Sequence, residues 1–498
     1  MRRLREIYPN ELVVISVHSG KFPSEKSTAN IREAVMRHGI HHPVINDADF
    51  QVWQAYTIRA WPTIVLIDPA GKVVDTQPGE ILAETYQEKI EALIAAFDAI
   101  NLLDRTPIDF EPEISQEPIR PLNYPSKVLL GPDNLLYIAD TGHHRILEVS
   151  LKMSQFTGGI QRVFGQGQPG FQDGAAEEAQ FHDPHGMALN GSTLYIADTE
   201  NHAIRAIDLK EGSVRTVAGT GKKAHAQLQL DKPTKTPLRS PWALLTEDEV
   251  VFIAMAGSHQ IWVLLKEQQL GPFFGNGQEA LVDGPQMESS FNQPSDLSLG
   301  MGHIFVADSE ASAIRAISLT ETPTVITLIG QGLFEFGDND GVGSAVRLQH
   351  PTGLVYHNGL VYIADSYNHK IKTLDPTQGR VTTVIGTGDA GYVDGSFEEA
   401  HLFEPEGVAA MDDYLFIADT NNHAIRIAHL PTQSVHTLAL KALDQLHPPK
   451  HHPSVHQLEA INVPSGDVKF NLHIELPAGY KRNEEAPLSL QIDKNGVP

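Results

Sequence analysis

The sequence predicts a multidomain protein: an N-terminal α/β unit, a central all-β six-bladed β-propeller and a short C-terminal all-β module. Three observations carry the propeller. A ten-residue stretch, YIADSYNHKI at Tyr362–Ile371, recurs six times, starting at Tyr137, Tyr195, Phe252, Phe305, Tyr362 and Phe416. The start-to-start spacing stays between 53 and 58 residues, a fixed period that marks a repeat architecture. Each copy also reads as an alternating apolar run, an Asp, a short polar stretch and a second alternating run, which is strand, turn, strand.

Two further strands complete each unit. A Pro and a short apolar run precede the copy, as in Pro184–Leu189 or Pro351–Val355, and a run ending in Gly follows it, as in Val214–Ala218 before Gly219. Four strands per unit, repeated radially six times, leave only short and protected sheet edges. The propeller is expected over 121–440. Between blades lies a second signature: an Asp-Gly turn, a short helical segment, an apolar anchor (Phe181, Phe291, Leu348, Phe403) and the Pro that opens the next blade. Residues 222–241 depart from it with a Lys- and Pro-containing loop ending in Ser240-Pro241-Trp242.

Residues 1–100 read as α, β, α, β, α, β, β, α. Met1–Tyr8 ends a helix, Leu12–Val17 is a buried strand, and Ser27–Arg37 is an amphipathic helix capped by Ser27 or Thr28. A short strand at Pro43–Ile45 and a helix at Asp49–Tyr56 follow. Trp61–Asp68 and Lys72–Thr76 form a hairpin about Ala70-Gly71, and Ile81–Ala96 closes the unit. Residues 101–120, rich in Pro and acids, form a linker in which a strand is expected to pair with the last blade and close the ring. Residues 441–453 are a Pro/His linker, and 454–498 carry alternating strands, too few to close a core.

Composition bounds the function. The chain has 498 residues, 41% hydrophobic and 20% charged, with a formal net charge of −25. Nucleic-acid binders neutralise phosphates with clustered Lys and Arg, so this charge disfavours that class. No apolar run reaches the ~18 residues of a membrane span, and the start shows no signal-peptide core. The expected address is therefore cytoplasmic. There are no cysteines, which excludes a thiolate metal site or a cysteine nucleophile from these residues.

The N-terminal order, with Trp61-Pro62-Thr63 opening the hairpin, resembles the thioredoxin-like fold. The resemblance implies that Pro62 is the cis-proline beside the redox centre. It also implies a central strand delivering a Cys-x-x-Cys pair, and the sequence from Met1 does not include one. Such a strand buries about four large side chains at roughly 1.5–3 kcal/mol each, comparable with a domain's net stability. A start downstream of the real one is therefore favoured over a degenerate, redox-dead module. The repeats resemble the NHL repeat, through Asn201-His202-Ala203, Asn368-His369-Lys370 and Asn422-His423-Ala424. Residues 143–145 (HHR), 258–260 (SHQ) and 311–313 (ASA) depart from it. The whole arrangement resembles the NHL repeat-containing protein 2 family, which implies a scaffold joined to a redox-type fold.

Candidate chemistry is sparse. The repeated Asp (140, 198, 308, 365, 419) suits a turn cap better than a ring of cation ligands. The histidines at 144, 202, 259, 369 and 423 sit on separate blades, too far apart for one ion with bonds of ~2.0–2.1 Å. Seven residues past each Asp position lie Arg205, Trp262, Arg315, Lys372 and Arg426, with Leu147 in the first copy. They read either as side chains pairing with the many acids or as a partial basic ring for an acidic partner. Gly-x-Gly pieces at Gly165 and Gly386 lack the helix and Lys of a phosphate loop. His185 and Trp242 break the repeat at matching positions after the blade-opening Pro. The leading expectation is a protein-interaction scaffold with unknown protein partners, no cofactor, no metal and no catalytic residue as given. A thioredoxin-superfamily oxidoreductase with its Cys-x-x-Cys upstream is the alternative. A metal-dependent propeller hydrolase or lyase and an RNA-binding propeller are further classes.

Overall fold

The computed structural model describes residues 2–446 except 80–82, 107, 109, 111 and 225–229. The expected C-terminal module at 454–498, and the linker from 447, lie outside the described residues. The chain divides into two compact units, Met1–Pro118 and Ile119–Pro498.

The first unit follows the expected order of elements. Helices occupy Arg2–Ile7, Thr28–Arg37, Gln51–Ala55 and Ala83–Asp98. Strand Ser16–His18 pairs in parallel with Val44–Asn46, and Thr63–Ile67 pairs antiparallel with Val73–Pro78, as two separate two-stranded sheets. The buried strand expected at Leu12–Val17 is corrected. Only its last residues pair, and Val13 and Ile15 stay 55% and 53% exposed. Ser27 takes the N-cap position of its helix without a side-chain bond. A small core joins Leu4, Tyr8, Tyr86 and Ile90, backed by Ile64 and Leu66. The Trp61–Pro62 peptide is cis, directly before the hairpin.

The second unit is the six-bladed propeller. Blade 1 is built from Lys127–Leu130, Leu135–Asp140, Arg145–Lys152 and Thr157–Phe164. Blades 2 to 6 open at Pro184, Pro241, Pro294, Pro351 and Pro405 and keep the same antiparallel meander. Six apolar clusters sit one at each blade junction. Blades 6 and 1, for instance, share Val128, Leu136, Phe416 and Ile425, while blades 3 and 4 share Phe252, Phe274, Phe291 and Ile304. Burying such side chains at roughly 1.5–3 kcal/mol each holds blade to blade, because a single blade cannot cover both of its faces.

Three details differ from the sequence reading. The junction's short helical segment is, in blades 2, 4, 5 and 6, a two-residue strand such as Gly174–Ala175 or Gly395–Ser396. It adds a fifth strand to its blade's outer edge, and a single 3-10 turn follows in blades 4 and 5. The apolar anchor of the last junction is the fully buried Leu402, three residues before Pro405 as Phe181 is before Pro184; Phe403 instead lies against the His369 ring at 5.5 Å. Ring closure comes from Ala439–Lys441, which pairs in parallel with Thr157–Gly159 of blade 1, and the described residues of 101–120 add no strand to it.

Candidate functional site

The motif Asp ends the second strand of its blade, and all five copies are fully buried. One carboxylate oxygen accepts the N–H of Asn123, His182, Asn292, Gln349 or Phe403 at 2.5–2.8 Å. That amide lies two residues before the blade-opening Pro, so the carboxylate pins the chain's entry into its own blade. The other oxygen accepts Arg205, Arg315 or Arg426 Nη1 at 2.7–2.9 Å. Asn201, Asn368 and Asn422 reach the same oxygen at 2.7–2.8 Å.

The basic residues read either as side chains pairing with acids or as a partial ring for a partner are therefore interior. Arg205, Arg315, Lys372 and Arg426 are 0% exposed. Each arginine's second nitrogen donates to the Asp of the junction Asp-Gly, Asp173, Asp283 or Asp394, at 2.7–2.9 Å. Those junction carboxylates in turn accept the amide and hydroxyl of Thr216, Thr327 or Thr437. The Arg205 guanidinium lies 5.1 Å from both the Phe171 and Phe181 ring centres, and Arg426 lies 5.1 Å from Tyr392. In blade 5 the cation is Lys372, and the position of Phe171 and Tyr392 becomes Asp338, which accepts Lys372 Nζ at 2.6 Å. A compact ammonium cannot offer the flat face that stacks on a ring, so a carboxylate replaces the ring. Trp262, also expected on a face, is buried at the arginine's register and donates to Gln260 Oε1 at 2.9 Å.

Burial pushes Asp198, Asp308, Asp365 and Asp419 up to about 6, against the pull of their cations. They still hold their charge at neutral pH. Burial would raise Asp140 too, but His143 and Arg145 beside it bring it down to about 2.

The motif histidines link each blade to the next. His144, His202, His259, His369 and His423 each accept, through Nδ1, the N–H of the residue before the next blade's Pro: Asp183, Ser240, Gln293, Glu404 and Tyr124, at 3.1–3.3 Å. Blade 4 uses Ser312 Oγ, which accepts from His350 at 3.2 Å. All six residues that donate this N–H hold φ between 45° and 60°. Each His or Ser is also left-handed, where Asn and His are tolerated better than branched residues. The first Gly of each Gly-x-Gly closes against this turn: Gly219 has φ +94°, and a Cβ there would lie 2.5 Å from the His202 carbonyl oxygen.

What varies between blades collects on the inner strands. Lys127 of blade 1 reaches Asp296 of blade 4, opposite in a six-membered ring, at 2.9 Å. Its ammonium also donates to the carbonyls of Thr352 and Glu406, so one side chain ties four blades across the axis. His185 and Trp242, the departures seen in the sequence, are brought together with ring centres 4.3 Å apart. Glu406 of blade 6 acts electrostatically on His185. Lys127, Asp296 and Glu406 escaped the sequence reading, although aligning the two residues after each blade-opening Pro would have exposed them. Among the described residues no three His, Asp or Glu gather as metal ligands, and no helix is long and apolar enough to cross a membrane. In the first unit, Trp61 is 49% exposed and its Nε1 donates to the Ser19 carbonyl at 2.8 Å. Thr63 donates its hydroxyl to Ala60 at 2.7 Å.

The NHL repeat family matches residues 122–148 and 348–374, each window running from before a blade-opening Pro into that blade's third strand. Over 516 residues the chain is 39% identical to Protein SUPPRESSOR OF QUENCHING 1, chloroplastic, of Arabidopsis thaliana, covering 96% of this chain and 48% of that protein. It thus spans about half the length of that relative. It is 36% identical to NHL repeat-containing protein 2 of Bos taurus (95% of this chain, 72% of that protein) and 37% identical to the Homo sapiens protein (95% and 71%). At that identity and coverage, the chain belongs to the NHL repeat-containing protein 2 family.

Proposed function

We propose that the chain is a protein-binding scaffold, with the propeller as its recognition platform. One observation carries this reading: the charged residues that recur from blade to blade are used up inside the fold. The differences between blades are therefore left to recognise a ligand, and they gather where the inner strands begin. The first unit supports a thioredoxin-like reading through its order of elements, its cis Trp61–Pro62 bond and the part-exposed ring trio Phe50, Trp53 and Trp61, the last two 4.5 Å apart. With no cysteine in the chain, these residues supply no thiol chemistry of their own, and a reducing compartment such as the cytoplasm suits them.

A photo-crosslinker placed in cells at Tyr392, on the junction face, and at Met301, in a hairpin turn of the opposite face, tests the scaffold. Both residues are exposed. A discrete product from one site and not the other is expected. Equal smears from both, or no product from either, would remove the reading.

A further inference from the structure

The junction between blades 2 and 3 reverses the charge of the other four. Residues 166–183, 276–293, 331–350 and 387–404 together hold 15 acids and a single cation, Arg347. Residues 222–239 hold Lys222, Lys223, Lys232, Lys235 and Arg239 against one acid, Asp231. The fold explains the missing acids. Arg205 and Thr216, which face each other in blade 2, become Trp262 and Pro272 in blade 3. Neither calls for a junction carboxylate, because Trp262 carries no charge and Pro272 has no N–H. Nothing in that exchange calls for five cations.

The fold holds these cations in place. Ala224 donates its N–H to the Leu238 carbonyl at 2.8 Å, and both residues are buried, so the Lys222-Lys223 limb runs beside Arg239. Thr236 is fully buried after the 3-10 turn Pro233–Lys235. The Lys235 N–H returns to the Lys232 carbonyl at 2.8 Å, a three-residue step that sets both side chains on one side of the turn. Lys222, Lys232 and Lys235 are exposed, and no ion pair engages them among the described residues. The Arg239 Nε is buried and meets no acceptor among the described residues. Asp231 accepts the neighbouring Lys232 N–H at 2.7 Å. Charges beyond about 8 Å are largely screened at physiological salt, so the chain's net −25 leaves the local sign of this junction in control. Leu230 on the same limb is 53% exposed, and an apolar side chain can cover it. A peptide carries such a side chain beside its carboxylates, and a phosphate backbone does not.

We propose that the two described limbs of this junction, 222–224 and 230–239, dock an acidic peptide segment of a partner protein. Its carboxylates are directed to Lys222, Lys232, Lys235 and Arg239, and an apolar side chain to Leu230. This rests on the scaffold reading, because it names the chemistry of the partner and the junction that receives it.

Fluorescence anisotropy of the full chain with labelled Glu-Glu-Glu-Leu-Glu-Glu-Glu-amide, its counterpart with every Glu replaced by Gln, and a short labelled oligouridine tests the assignment. The Glu peptide is expected to saturate and to weaken as salt is raised, and the Gln peptide not to bind. K222E/K232E/K235E is expected to weaken the Glu peptide by roughly tenfold or more. K72E/K152E/K210E changes the net charge equally at exposed lysines elsewhere and is expected to leave binding within about twofold. Equal loss in the two variants would overturn the proposal. So would equal binding of the Gln peptide, no saturation by the Glu peptide in the millimolar range, or oligouridine that binds more tightly and displaces the peptide. These last three outcomes are read on the unmutated chain. A failed titration beside a discrete crosslink at Tyr392 would end this assignment and leave the scaffold standing.

Discussion

In blade 6 the second and third strands are joined by Asp419 and Arg426, fully buried and 2.7 Å apart. In blade 3 the same two positions hold Met255 and Trp262, also buried, and the strands pair in the same register: Ile417 opposite Arg426, Ile253 opposite Trp262. The fold thus accepts either a satisfied ion pair or an apolar pair at one site. What it cannot accept is half of either, because an uncompensated buried charge has nothing to replace its hydration. The polar version needs more of its surroundings: the Asp394 carboxylate, the His401 and Val393 carbonyls and the Tyr392 ring all converge on Arg426.

Breaking blade 6 by halves gives the largest effect. R426A leaves Asp419 buried without its counter-charge and is expected to destabilise the protein by about 3–5 kcal/mol, read as a fall in the chemical-denaturation midpoint. Next comes acid sensitivity at the blade 5–6 link. Burial lowers His369 to about 4, and its Nδ1 must stay unprotonated to accept Glu404 N–H. The unfolded chain binds that proton first, so stability is full above the ordinary histidine value of 6.5 and is lost as pH falls from there to about 4. H369N is expected to flatten the denaturation midpoint over that window; an unchanged slope would separate the histidine from acid sensitivity.

The transplant D419M/R426W, which copies blade 3, is expected to cost less than R426A alone, within about 2 kcal/mol of the parent. A double-mutant cycle measures this, and additive costs would show that blade 3 depends on more than its two residues. The smallest effect belongs outside the interior: Arg215 and Glu267 form an ion pair with Arg215 54% exposed, and R215A is expected to change stability by about 0–1 kcal/mol.

Much of the fold was legible because the repeat writes it six times. Period-two runs, the Asp turn and the Pro opening located the propeller strands within a residue or two. The role of Arg205 and its counterparts was not legible, since a residue seven places past an Asp faces it only once two antiparallel strands pair. The favoured reading of those residues, solvated side chains pairing with the many acids, had the pairing right and the solvation wrong. The joint between Phe403 and Leu402 misled because both are apolar; only the shared distance to Pro405 tells them apart. His185 and Trp242 were legible as departures, whereas their contact with each other was not.

The sequence by itself determined the blade count, the strand order and the turn chemistry, because these follow from local periodicity and from which residues tolerate a left-handed backbone. The tertiary structure decided where each charge goes. Whether Arg426 faces water or Asp419, and whether Lys127 crosses the axis to Asp296, depends on strands brought together from blades far apart in the chain. That is why the recurring basic residues, which looked like a surface, became the interior. It is also why two separate departures, His185 and Trp242, became one pair of neighbouring rings.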